Sequence, residues 1–167
     1  FTIYEKKHIP ETHRNPGSVV GIDMGVGNHV IVAANPHGDE VMRRGLPTTI
    51  SDHDKRIRHL QRKMSRKRGP DKRTKTAPSN RWVRVNNQVR KYHNTMANVR
   101  RDLAAKAAHD LARDYATVVI EDLNVRAMMT RGGTYKRGLN RAIAQASFAD
   151  LRRRITYKTH WNGGCLL

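Results

Sequence analysis

Val19-Val20-Gly21-Ile22-Asp23-Met24-Gly25 is a short apolar strand interrupted by a single carboxylate. A carboxylate inside an apolar strand is costly to bury unless it is paired or binds a cation. Asp23 is therefore either a turn-preparing or capping residue or part of a cation site. Gly21 and Gly25 share its strand face by the period of two, which leaves open space where a hydrated metal and a phosphate can approach.

Working outward, residues 29–34 form a second strand and Glu40–Arg44 a third. The breaks at Gly25-Val26-Gly27-Asn28 and Asn35-Pro36-His37-Gly38-Asp39 are strong turn chemistry, so the three strands are expected to form an antiparallel meander. Ser51 with Asp54 three residues on resembles a capping box. Ile57, Leu60 and Met64 then follow at helical spacing, predicting a helix to about Lys67. Gly69-Pro70 and Pro78 make residues 68–80 a loop. Trp82, Val85, Val89, Tyr92, Met96, Val99 and Leu103 repeat at steps of three and four, the stripe of a long amphipathic helix reaching about Arg113. That stripe reads as packing and not as a ligand site.

Residues 117–121 form a β-branched strand that again ends in a carboxylate, Glu121. A basic, glycine-containing connection over residues 124–138 leads to one last helix with Leu139, Ile143, Leu151 and Ile155 on one face. Trp161-Asn162-Gly163-Gly164 then turns into the start of another strand. The order β-β-β-α-α-β-α-(β) predicts an α/β fold with a mixed sheet in the ribonuclease H-like arrangement.

If the first and fourth strands are neighbours, Glu121 comes near Asp23 and two acids share one site. Such a pair, with a third acid, holds two Mg²⁺ ions about 4 Å apart in phosphodiester hydrolysis. Asp122 is expected to point away from Glu121 or cap the next turn, a structural role. The nine histidines show no metal-ligand spacing and read as solvated.

Composition points the same way. The 167 residues hold 33 Lys and Arg against 14 Asp and Glu, a formal net charge of +19, which calls for a polyanionic partner. The densest run is residues 55–75, with eleven cations and one acid, Asp71. Lys55, Arg56, Arg58, Arg62 and Lys63 lie in the predicted helix; Arg66, Lys67, Arg68, Lys72, Arg73 and Lys75 follow toward and into the loop. A solvated face is the plain reading of a charge run; the excess of positive charge favours nucleic-acid backbone contact. Aromatic residues are 5% of the chain, so phosphate contacts are expected to dominate over base stacking. No basic helix has a bulky apolar opposite face, no apolar run spans a bilayer and no signal peptide is evident. A soluble, intracellular, non-membrane protein is expected. A lone Cys165 excludes an internal disulfide or a CxxC metal knuckle within these residues. The length suits one domain. The start at Phe1 and the apolar end at Cys165-Leu166-Leu167 suggest a fragment.

GIDMGVGN (21–28), LQRKMSRK (60–67), VVIEDLNV (118–125) and FADLRRRITYK (148–158), in that order, resemble the TnpB or OrfB family of transposon-encoded proteins, relatives of the type V CRISPR effectors. The resemblance implies a RuvC-type nuclease domain over residues 17–167, incomplete at its C-terminus, with residues 1–16 the remnant of a preceding wedge region or linker and a possible strand at Thr2 to Lys6. It implies an RNA-guided, metal-dependent DNA endonuclease acting with guide RNA on target DNA in a prokaryotic, nucleoid-associated setting. Asp23 matches the first acid and Glu121 the second of a triad that holds Mg²⁺ or Mn²⁺. The family's third acid and its four-cysteine zinc ribbon are expected beyond Leu167, so the fragment alone is expected not to cut. In RNA-guided systems the protein holds an A-form heteroduplex by its backbone in a positive channel, which residues 55–75 would line. Two rivals remain: a non-cleaving nucleic-acid-binding fragment or regulator, and an actin-like ATPase or sugar kinase, whose phosphate loop also reads G-x-D-x-G-x-x-N.

Overall fold

A computed structural model describes residues 8–26 and 29–167. The possible strand at Thr2 to Lys6 and the turn residues Gly27 and Asn28 lie outside the described residues. The chain forms strands β1 (Val19–Met24), β2 (Ile31–Ala34) and β3 (Glu40–Arg44), then helices α1 (Thr48–Ser65) and α2 (Asn80–Asp114). Strand β4 (Thr117–Ile120), helices α3 (Val125–Met128), α4 (Thr134–Ala146) and α5 (Phe148–Trp161), and strand β5 (Cys165–Leu166) complete it. The sheet order is β3-β2-β1-β4-β5. β1, β2 and β3 pair antiparallel as the predicted meander; β4 lies parallel to β1, and β5 parallel to β4. The sheet is therefore mixed, as expected for an α/β fold.

Two compact units emerge: Phe1–Leu46 with Arg101–Leu167, and Pro47–Arg100. The sheet belongs to the first. Strand alternation gives β1 one buried row, Val20, Ile22 and Met24, and a second row, Val19, Gly21 and Asp23, that is partly or fully exposed. The buried rows of β1, β2 and β4 share one core with Ala104, Ala107, Ala108 and Leu111 of α2. Their spacing of three and four keeps them on one helix face, and the alanines let the helix backbone approach the sheet. Ile143 of α4 and Phe148, Leu151 and Ile155 of α5 complete that core.

The second unit is helical. Ile50 and Ile57 of α1, and Val89 and Met96 of α2, are its buried apolar side chains among the described residues, each pair seven residues apart. The Ser79 hydroxyl accepts the Trp82 amide at 3.3 Å and caps α2. A Cβ at Gly69 would stand 3.1 Å from the Trp82 indole nitrogen, so glycine lets that ring settle over the loop.

Four expectations need correcting. The Ser51 and Asp54 capping box does not form, because α1 starts at Thr48 behind Pro47. Ser51 instead donates to the Thr48 carbonyl, and Asp54 pairs with Arg58. The connection over residues 124–138 is shorter than read, since α3 and the start of α4 occupy much of it. The single last helix is two helices, divided at Ser147 in the left-handed region (φ 54°). Finally, His13 is not solvated: it is 4% exposed, its Nε2 lies 3.1 Å from the Ala112 carbonyl, and its Nδ1 accepts the Asn15 amide. Arg14 and Asn15 add bonds to Asp114 and fasten this N-terminal segment to the end of α2.

The Gly163-Gly164 turn into β5 is fixed by close backbone approach. A Cβ at Gly164 would stand 2.4 Å from the Ala116 carbonyl oxygen, and one at Gly163 would stand 2.7 Å from that of Pro10. No helix among the described residues is long and apolar enough to cross a membrane.

Candidate functional site

Asp23 ends the exposed row of β1, and Glu121 follows directly on β4. The parallel register sets Gly21 opposite Val119 and ends at Ile22 opposite Ile120, and Asp23 and Glu121 are the next residue on each segment. Neighbouring strands lie about 4.8 Å apart. Both carboxylates are exposed and line one open groove of about 690 Å³ with Gly21, Val32, Ala34 and Val119. Asp23 and Glu121 thus open onto the same groove. Asp23 lies on the open face of the strand, so the burial penalty argued from its apolar neighbours does not apply.

The two glycines have separate uses. A Cβ at Gly21 would meet only the Ala34 carbonyl oxygen, at 3.9 Å, so the space beside the acids is open. Gly25 lies beyond the strand, where a Cβ would come within 2.8 Å of the His29 carbonyl oxygen; it serves the turn and not the groove.

Neither the Asp23 nor the Glu121 carboxylate has a hydrogen-bond or ion-pair partner among the described residues. Arg43 lies two strands away, opposite Val32, which itself pairs with Asp23. It is engaged by Glu40, whose carboxyl its guanidinium holds below the usual carboxylate range. Two carboxylates lining one groove carry like charge, which a bound cation would offset. Among the described residues no group of three His, Cys, Asp or Glu side chains could hold a metal ion. The two carboxylates are hard oxygen donors of the kind divalent ions take, and the described residues group no third His, Cys, Asp or Glu with them.

Asp122 turns away from the pair and bonds Arg152 of α5 at 2.7 Å, the structural role expected of it. The same guanidinium nitrogen donates to the Glu121 carbonyl oxygen at 3.3 Å. Arg152 thus ties the end of β4 to α5 directly behind Glu121. Sequence reasoning missed it, because three consecutive arginines at 152–154 carry no signal of which one faces β4; Arg153 and Arg154 both go to Asp150.

The basic run lies in the other unit. Lys55, Arg56, Arg58, Arg62 and Lys63 are on α1; Arg66, Lys67 and Arg68 follow its end. Lys72, Arg73 and Lys75 sit in a turn closed by paired backbone bonds between Asp71 and Thr76, both 3.1 Å. Asp71 accepts the Arg73 amide, and its carboxyl lies below the usual range because Thr74 and the turn's amides bond to it. The one acid of the run is thus spent on shaping the turn. Arg58 pairs with Asp54 and Lys55 approaches Asp52 at 3.8 Å. The side chains of Arg62, Lys63, Arg66, Lys67, Arg68, Lys72, Arg73 and Lys75 have no acid partner among the described residues. Pro47–Arg100 holds 16 Lys and Arg against 3 acids, and the remaining 113 residues 17 against 11.

Comparison with known proteins follows this geometry. The model of the OrfB_IS605 family, described as "Probable transposase", matches residues 2–132. Among curated proteins, the chain is 30% identical over 160 residues to "Putative RNA-guided DNA endonuclease InsQ" of Escherichia coli (strain K12), covering 90% of this chain and 36% of that protein. It is 30% identical over 146 residues to a "Putative RNA-guided DNA endonuclease" of Streptomyces pristinaespiralis, covering 87% and 32%. The chain thus spans about a third of the length of these relatives. Among solved structures it is similar to a chain of the "Cryo-EM structure of the Cas12f1-sgRNA-target DNA complex", at 16% identity and a TM-score of 0.47, over 92% of this chain and 36% of that one.

Proposed function

The chain belongs to the OrfB_IS605 family, and from that premise we propose that it is the RuvC-like, ribonuclease H-like part of an RNA-guided, metal-dependent DNA endonuclease. The observation that carries this reading is the pair Asp23 and Glu121, unpaired and side by side on an open sheet face. The sheet order, with a three-stranded meander followed by parallel β4 and β5, supports the ribonuclease H-like assignment. In this reading residues 17–167 are the nuclease domain, with Pro47–Arg100 set into its sequence, and residues 1–16 belong to what precedes it.

Asp23 and Glu121 would hold Mg²⁺ or Mn²⁺ by their carboxylate oxygens, hard ligands suited to such ions. When bound, the metal would activate water and stabilise the leaving oxygen of a phosphodiester. The chain's own residues supply position and charge. The β1–β4 register holds the two carboxylates level, Arg152 steadies the backbone at Glu121, and the glycine at 21 keeps the approach to the acids clear. The cations of residues 55–75 would hold the phosphate backbones of guide RNA and target DNA. Among the described residues two carboxylates line the groove, so a second ion needs oxygen ligands from elsewhere, and we expect the 167-residue chain alone not to cleave DNA at an appreciable rate.

The experiment uses the protein at its full coding length with guide RNA. Cleavage should require Mg²⁺ or Mn²⁺ and vanish in Asp23→Ala and in Glu121→Ala while nucleic-acid binding persists. Cleavage that survives Asp23→Ala would overturn the site assignment. A second reading, a nucleic-acid-binding fragment or regulator that does not cut, uses the same basic residues 55–75 as its binding surface. It predicts that the full-length protein is inactive with either metal. Family membership leaves the actin-like ATPase reading without support.

A further inference from the structure

Within Pro47–Arg100 a cleft of about 810 Å³ opens between α1 and α2. It is lined by His53, Lys55 and Arg56 from α1 and by Gln88, Lys91 and Tyr92 from α2, and no acid lines it. Its size falls among pockets that take small organic groups, roughly 300–1,000 Å³. The charge alone would describe any basic surface. What distinguishes this cleft is aromatic surface set among the cations.

The His53 and Tyr92 rings pack with centroids 4.9 Å apart at 55°. Nδ1 of His53 is buried with no hydrogen-bond partner, so packing and not a bond at that nitrogen holds the imidazole. Arg56 donates to the Tyr92 hydroxyl at 3.3 Å, and its guanidinium carbon lies 5.9 Å from the ring centroid. Arg56 and Tyr92 thus hold each other at the cleft wall. Among the described residues Lys55 pairs with Asp52 alone, at 3.8 Å and largely exposed, a pair that contributes little and exchanges readily for a phosphate.

We propose that this cleft holds one nucleotide of an unpaired nucleic-acid strand, its base packed against the Tyr92 and His53 pair and its phosphate facing Arg56 and Lys91. The inference rests on the nucleic-acid reading above and narrows it to one nucleotide at one place. Base packing on an aromatic ring tolerates any base, because every base has a π-face. In a duplex the faces are already stacked on neighbours, so the cleft selects unpaired strand.

The test uses the purified 167-residue chain and two labelled DNA 12-mers with equal numbers of phosphates, one bearing bases and one abasic, titrated by fluorescence anisotropy at several salt concentrations. The wild-type chain should bind the base-bearing strand at least about fivefold more tightly, the low end for one stacked base. Tyr92→Ala should remove most of that preference and leave the abasic affinity and the salt slope unchanged. Tyr92→Phe, which keeps the ring and loses the hydroxyl, should retain the preference. Arg56→Gln should weaken binding to both strands and reduce the salt slope by about one. Equal wild-type affinity for the two strands overturns the proposal without reference to any variant. So does an equal loss for both strands in Tyr92→Ala, which would make the ring a packing element only. Displacement of the base-bearing strand by free dAMP at micromolar concentration would assign the cleft to mononucleotides and overturn the strand assignment. In each of these cases salt-dependent binding would leave the nucleic-acid reading standing. Failure of the wild-type chain to bind either strand at low salt would sink that reading itself.

Discussion

The two units of the chain divide its physical properties unequally. Pro47–Arg100 carries a net charge of +13 in 54 residues and four buried apolar side chains among the described residues. The sheet unit carries +6 in 113 residues and the other eighteen. Burial stabilises in proportion to apolar area removed from water, so the fold's stability resides chiefly in the sheet unit. Charge density governs attraction to polyanions, so affinity resides chiefly in the helical one. The acids of the proposed reaction lie in the unit with the lower net charge.

The comparison breaks if the two properties cannot be altered separately. The largest effect is expected from reversing Arg62, Lys67 and Lys72 to Glu together. All three lack acid partners among the described residues, and affinity for nucleic acid at low salt should fall on the order of a hundredfold or more, with a shallower salt slope. Filter binding measures it, and thermal unfolding should hardly move. An unchanged affinity would remove the basic run from the interface.

Leu111→Ala should do the converse. Leu111 is fully buried in the sheet unit's core, and its truncation should cost about 3 kcal/mol in denaturant unfolding. Binding under native conditions should change little. Loss of binding in proportion to stability would couple what the comparison separates.

A smaller cost, about 1–3 kcal/mol from forced close contact, is expected for Gly164→Ala, whose Cβ has no room beside Ala116. It should appear as an earlier thermal transition. An unshifted transition would mean that β5 contributes nothing to the sheet's stability.

The smallest effect, and the sharpest for the site, is Asp23→Asn. Without metal it removes a like-charge repulsion between exposed groups and should leave stability within about 0.5 kcal/mol or raise it slightly. With millimolar Mg²⁺ or Mn²⁺ the wild-type transition should rise, as for any ligand that binds the folded form, and the variant's should not. An equal rise in both would detach the metal from Asp23.

Much of this arrangement is legible in the residues. Alternation in 19–24 and β-branching in 117–120 announce strands, and the stripe from Trp82 to Leu103 announces α2, because these patterns repeat over several turns or pleats. The Ser51 and Asp54 capping box misleads because Pro47 and Thr48 start the helix one turn earlier, and a cap signal cannot say which of two adjacent starts is used. The split at Ser147 leaves no trace in the apolar spacing, since Ile143 and Leu151 both face the core on either side of it. His13 looks like any surface histidine until the carbonyl of Ala112, ninety-nine residues away, meets it.

Local pattern therefore determined the identity of the strands, the long helix, the excess of charge and the two acids worth watching, because each depends on neighbours within a few residues. That Asp23 and Glu121 line one groove, that Arg152 and not Arg153 bonds the Glu121 carbonyl, and that Tyr92 borders a basic cleft depend on register and on contacts between distant segments. A one-residue slip in the β1–β4 pairing would preserve every local pattern yet move one carboxylate off the other's row, and only the packed sheet excludes that slip.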